Sequence, residues 1–153
     1  MSDPSDFISS VKGFLAPGAV EAGFSTPLWV PRAPEEALAI YRGSPFDLLV
    51  YCAGGHGVNM TVTVTPEGNA KPNWNPCDEI GLGWFSQALG LAPWISPRYG
   101  SSAEREAHIQ ELCRRLPEFV SAARPRGAAL WSEVRELVRS SARPGANGGW
   151  SAA

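Results

Sequence analysis

Residues 46–65 read FDLLVYCAGGHGVNMTVTVT, and this stretch decides the fold. Its second half alternates strictly: Val58, Met60, Val62 and Val64 fall on one side, Asn59, Thr61, Thr63 and Thr65 on the other. A period of two, rich in β-branched types, predicts a half-buried strand. The first half, Phe46 to Cys52, is apolar almost throughout, with only Asp47 interrupting. Such a run predicts a strand covered on both faces, hence central or beneath a helix. The connection AGGHG, residues 53–57, is short enough for an antiparallel hairpin, and its glycines can take positive φ where the chain reverses. Pro66-Glu67-Gly68-Asn69 is a turn signal that ends the second strand. A further edge strand over Ala70 to Trp74 is a weaker expectation, because Pro72 has no N–H to donate.

Outward from the hairpin, helices are predicted at both ends. Asp3 as N-cap and Pro4 at the first helical position open one helix, whose apolar face is Phe7, Ile8, Val11, Phe14 and Leu15 and which Ala16-Pro17-Gly18 stops. Residues 16–34 are rich in proline yet carry Phe24, Leu28, Trp29 and Val30, which suits an irregular segment or edge strand laid over the core. Pro34-Glu35-Glu36 predicts a short helix bearing Leu38, Ile40 and Tyr41, closed by Gly43-Ser44-Pro45. After the rigid polar turn at 71–79, Asp78 and Glu79 predict a short helix with Ile80, Trp84, Phe85 and Leu89 on one side. Residues 91–100 read as loop. From Ser101 or Ser102 a helix carries Ile109, Leu112, Cys113, Leu116 and Val120. A break is expected at Pro117, because proline disfavours the α conformation of the residue before it. After a turn at 124–127, residues 129–142 form the most regular helix: Leu130, Trp131, Val134, Leu137 and Val138 face inward, while Arg135, Glu136, Arg139 and Arg143 face outward. The expected fold is therefore α+β, a small antiparallel sheet around the 46–65 hairpin packed by N-terminal and C-terminal helices. It forms one domain over 1–142, with a disordered tail over 143–153.

The bulk properties narrow the function classes. A chain of 153 residues buries roughly 68–70% of its unfolded surface and needs neither metal nor disulfide to fold. The net charge is −2, with a sequence pI near 5.7. An acidic chain without a lysine run is a poor phosphate binder, so nucleic acid is not an expected partner. Arginines outnumber lysines eleven to two, a bias that fits a GC-rich bacterial genome. Three cysteines, at 52, 77 and 113, cannot all pair within the chain, and no signal peptide is evident. Together these place the chain in a reducing cytoplasm. No apolar run approaches the roughly 18–20 residues a membrane helix requires.

Three chemical templates bear on the hairpin loop and the turn at 71–79. Cys52, His56 and Cys77 are all legitimate zinc ligands, but the close second pair of a zinc site is missing. Cys77 beside Asp78 at a helix start, with His56 as base, would make a nucleophile–base set. Gly54-Gly55-His56-Gly57 resembles a phosphate cradle, yet it leads into a strand and no lysine follows. Chain reversal explains these glycines, and a buried small hydrophobe explains Cys52. His108 and Cys113, five residues apart, sit about 140° apart around their helix axis and form no local pair. An excess of arginine on the C-terminal helices is explained by a solvated surface.

The six tryptophans are the more telling feature, because several stand in proline-rich loops, where rigid aromatics anchor binding surfaces. Trp74, Asp78, Glu79, Trp94 and Tyr99 are the candidate contact residues. The expectation is a small cytoplasmic protein acting by protein–protein contact, such as a toxin-neutralising immunity protein or a regulatory partner, with another protein, a toxin or effector, as its partner. No cofactor is expected. The rival is a small enzyme or a ligand- or metal-binding protein using a Cys/His pocket near the 53–57 loop.

Overall fold

A computed structural model of the chain describes residues 16–25, 27–33, 36–52, 60–70, 79–95 and 102–141. The helix expected over 3–15, the hairpin loop, the polar turn at 71–78 and the tail beyond 142 lie outside them. In chain order the elements are α1 (Ala16–Glu21), β1 (Leu28–Ala33), β2 (Glu36–Tyr41), β3 (Phe46–Cys52), β4 (Met60–Pro66), β5 (Ile80–Gly81), α2 (Leu82–Ala88), α3 (Ser102–Ala123) and α4 (Ala129–Ser141), with a 3-10 turn at Arg124–Arg126. The strands form one antiparallel sheet in the order β1-β2-β3-β4-β5. Four of them are six or seven residues long, and β5 contributes two. The fold is α+β.

The hairpin forms as its alternation dictates. Cys52 pairs with Met60 and Phe46 with Pro66, so Met60, Val62 and Val64 share the face of Phe46, Leu48 and Val50. That face packs into one core with Phe85 of α2, Ile109, Leu112, Leu116 and Phe119 of α3, and Leu130, Trp131 and Val134 of α4. Leu49 points to the opposite face, where it packs with Leu38, Ile40 and Ala70 and with the half-buried Tyr51. β3 is thus covered on both sides, which is why its sequence does not alternate. A line of rings ties the layers together. Phe24 lies 5.3 Å from Phe46, Phe46 meets Phe85 edge-on at 5.0 Å, and Phe85 stacks on Trp131 at 5.4 Å.

Four local expectations are corrected. Residues 36–41 form strand β2 rather than a helix. Leu38 and Ile40 are buried on one face while Ala39 and Tyr41 are buried on the other, so the apolar run reflects a central strand and not a helical stripe. Within the segment expected to be irregular or an edge strand, residues 16–21 form helix α1, where Pro17 is tolerated in the first turn because its missing N–H has no intrahelical acceptor. Pro117 does not break α3, which runs through it for 22 residues. Ile109, Leu112, Leu116, Phe119, Val120 and Ala123 are all buried, and their combined burial outweighs the roughly 3 kcal/mol that an interior proline costs. Ile80 belongs to β5 rather than to the following helix, which begins at Leu82.

Asp47 fixes the end of the sheet. It is 1% exposed, and its Oδ1 accepts from the Gly43 amide at 3.2 Å. Its Oδ2 accepts from the Arg42 guanidinium at 3.0 Å and from the amides of Gly68 and Ala70 at 3.1 and 3.2 Å. Arg42 also donates to the Ala70 carbonyl. One carboxylate therefore holds together the β2–β3 turn, with its cis Ser44–Pro45 peptide, and the turn after β4. In that second turn Gly68 has φ +82° and the Asn69 amide donates to the Pro66 carbonyl at 3.0 Å, the geometry of a type II turn in which glycine is favoured third. A buried charge is retained only when it is hydrogen-bonded on every side, and Asp47 meets that condition.

Candidate functional site

The sequence candidates divide by where they fall. His56, Trp74, Cys77, Asp78 and Tyr99 lie outside the described residues. Cys52 ends β3 opposite Met60. Glu79 and Trp94 are described, and both are engaged within the fold. Glu79 is half-buried before β5, and its carboxylate accepts a hydrogen bond from the Thr63 hydroxyl of β4. Trp94 is only 4% exposed. Its ring lies face to face with that of His108 on α3, 4.0 Å between centroids and 3° between planes.

Trp94 belongs to an irregular segment, Leu91–Ile95, that is fastened at three points. The Trp94 amide donates to Ser86 Oγ of α2 at 3.0 Å, and Ser86 in turn donates to the Gly83 carbonyl at 2.8 Å. The Ala92 carbonyl accepts from Arg115 Nη2 at 2.5 Å. Arg115, nearly buried on α3, also pairs with Glu118 at 3.3 Å and places its guanidinium 4.7 Å from the centre of the Phe119 ring. The indole stack is the third point. At the end of this held segment Ile95 is 67% exposed. Ser86, Arg115 and His108 carry no loop signal in the sequence, since each reads as an ordinary helical residue. The one available hint was the tryptophan itself, which prefers burial when its ring has a partner.

The ionisable groups of this region serve packing. Burial lowers the affinity of His108 for a proton, and the nearby Glu111 carboxylate opposes that effect. Burial pushes the Cys113 thiol above its usual range, so the group is a protonated thiol at neutral pH and not a ready nucleophile. Cys113 sits where α1 crosses α3, and a Cβ on Gly18 would stand 3.1 Å from its sulfur. The Tyr41 phenol is likewise raised, first by burial and then by Cys113. Its hydroxyl has no hydrogen-bond partner among the described residues. The described residues hold no group of three His, Cys, Asp or Glu side chains placed to share a metal ion.

The arginines of the C-terminal helices are threaded with glutamates. Arg114 pairs with Glu111, Arg115 with Glu118, Arg126 with Glu133 and Arg139 with Glu136. These pairs, mostly exposed, lend little stability, but they neutralise the charge that a phosphate-binding face would need to present. No described helix is long and apolar enough to cross a membrane. No family model, curated protein or solved structure matches the chain.

Proposed function

We propose that the protein acts by protein–protein contact in the cytoplasm, as a toxin-neutralising immunity protein or a regulatory partner does, and that Ile95 is an anchor of the contact surface. The observation that carries this reading is the mounting of Ile95. A single exposed aliphatic residue is ordinary on any protein surface. This one stands at the end of a segment whose preceding ring is buried and stacked and whose main chain is held from α2 and α3. A side chain presented from a fixed base loses little conformational freedom on binding, which is the property of an interface anchor.

The test pairs two variants. Tagged wild-type protein is used to isolate its partner, which is then identified, purified and titrated against wild type and Ile95→Arg by calorimetry. The reading expects Ile95→Arg to weaken binding by at least about tenfold, about 1.4 kcal/mol, with thermal stability unchanged. Trp94→Ala is expected to weaken binding as well, but only alongside a loss of stability of about 3–5 kcal/mol. Equal affinity of wild type and Ile95→Arg for the purified partner would overturn the role given to Ile95. Turnover of a small-molecule substrate by the purified protein alone would overturn the contact function itself.

A further inference from the structure

Strands β1 and β4 each carry a proline, and together these prolines settle which main-chain groups of β1 face outward. In an antiparallel pair, opposed residues alternate between those that exchange two N–H···O bonds and those that exchange none. Pro66 opposes Phe46 and has no N–H, so the row of Phe46, Leu48, Val50 and Cys52 cannot exchange bonds with β4. That row then turns its hydrogen-bonding groups toward β2, where Leu48, Val50 and Cys52 oppose Tyr41, Ala39 and Ala37. Those three residues have nothing left for β1. On the far side Pro31 opposes Ala37 and Trp29 opposes Ala39, and Pro31 also lacks an N–H. Two prolines, one in β1 and one in β4, therefore fix the same phase independently.

In that phase the main chain of Trp29 and Pro31 points away from β2, to the outer side of β1. No described strand lies there, since β1 ends the sheet order. Of the outward nitrogens at 29 and 31, only that of Trp29 carries a hydrogen. Immediately beyond, the register shifts between Pro31 and Ala33, a bulge that spoils the repeat a docking strand would need. An apolar edge strand with its donors intact is a template for pairing with another copy of the same chain.

We infer that Pro31 closes the outer edge of β1 to strand addition, and that it keeps two copies of this chain from joining edge to edge into a continuous sheet. Recognition at this side of the sheet then runs through side chains rather than through main-chain pairing. The inference rests on register alone and stands whether or not the chain works by protein–protein contact.

The test restores the missing donor in the full chain. Pro31→Val and Pro31→Thr are compared with wild type by sedimentation over a range of concentrations. Pro31→Lys serves as the control, because it restores the same N–H but places a charge on the edge. The expected result is a species of twice the wild-type mass for the valine and threonine variants, growing with concentration, and none for the lysine variant. In wild type the Trp29 amide should exchange with solvent as fast as a free edge amide, and in the associated variant it should become protected. A folded Pro31→Val variant with the wild-type mass at every concentration would overturn the inference. So would equal association of the lysine variant, or strong protection of the Trp29 amide in wild type. Should Pro31→Val not fold, Pro31→Thr and the wild-type exchange measurement still decide the matter.

Discussion

The indole of Trp94 and the imidazole of His108 lie parallel, 4.0 Å between centroids and 3° between planes, and so fasten Leu91–Ile95 to α3. Neither that segment nor α2 carries an ionisable side chain, and Glu111, one turn along α3, favours the protonated imidazole of His108. Burial dominates and holds the imidazole below its usual proton affinity. The folded chain therefore binds this proton less readily than the unfolded chain. The stabilisation is complete above the unfolded pKa of roughly 6.5 and is lost as pH falls below it through the folded value. Urea unfolding at a series of pH values should show wild type losing stability below neutrality more steeply than His108→Phe, which keeps the stack and cannot titrate. A proton NMR titration in which His108 titrates above the free imidazole value would show instead that the stack favours the cation, and would sink the prediction.

Asp47 gives the largest expected loss. Removing its carboxylate leaves the amides of Gly43, Gly68 and Ala70 without their acceptor and Arg42 without its counter-charge. Asp47→Ala is expected to cost about 3–5 kcal/mol, because three main-chain donors lose their acceptor at about 1–3 kcal/mol for each one left unsatisfied. Asp47→Asn keeps the shape and one acceptor oxygen and should cost about 2–3 kcal/mol. Arg42→Ala should cost about 1 kcal/mol, because its side chain is already 41% exposed and water can replace it. Denaturant midpoints with unchanged slopes would measure all three. A mild Asp47→Ala would mean that water can enter and satisfy the turn.

How much of this was legible follows from which residues carry their environment in their own pattern. The 46–65 hairpin was readable because β4 has one face inward, which writes a period of two into the chain, while the doubly covered β3 writes an unbroken run. The same double covering hid β2. With Leu38 and Ile40 buried on one side and Ala39 and Tyr41 on the other, EALAIY offers no alternation, and its leading glutamates imitate a helix start. Asp47 looked like an interruption because its partners, the amides of Gly43, Gly68 and Ala70, come from two turns that only the folded sheet brings together. Trp94 looked like a surface anchor for the parallel reason: its partner, His108, arrives from another element. The candidate pocket joined Cys52, at the end of β3, to His56 and Cys77 in segments between the periodic elements, where sequence pattern carries least geometric information.

Gly43 is a residue whose smallness matters more than its flexibility. A Cβ there would run into the ring of Phe24 and stand 2.9 Å from the Phe46 carbonyl oxygen. Phe24 is itself buried and packed on Phe46 at 5.3 Å, so it has little room to retreat. Gly43→Ala is expected to destabilise by about 1–3 kcal/mol, the cost of overpacking. The double variant Gly43→Ala/Phe24→Leu should recover part of that loss, giving a coupling of about 0.5–2 kcal/mol in a thermodynamic cycle. Strict additivity of the two substitutions would show that the clash is relieved by backbone movement and not by the ring.

Pro117 offers the opposite sign. It lies inside α3 with its own side chain exposed, so replacing it removes no buried packing. It also withholds the N–H that would bond the carbonyl of Cys113, four residues earlier. Alanine restores that donor and relieves the ring's clash with the preceding turn. Against this, the unfolded chain regains the freedom that proline removes, worth about 0.4–1 kcal/mol. Set against the roughly 3 kcal/mol penalty of an interior proline, the net expectation for Pro117→Ala is a gain of about 1–2 kcal/mol, read as a higher thermal midpoint with helical circular dichroism equal to or above wild type. A loss of stability would mean that the bend introduced by Pro117 is needed to seat Leu116 and Phe119 against the sheet, so that the proline is part of the core's geometry and not a tolerated irregularity.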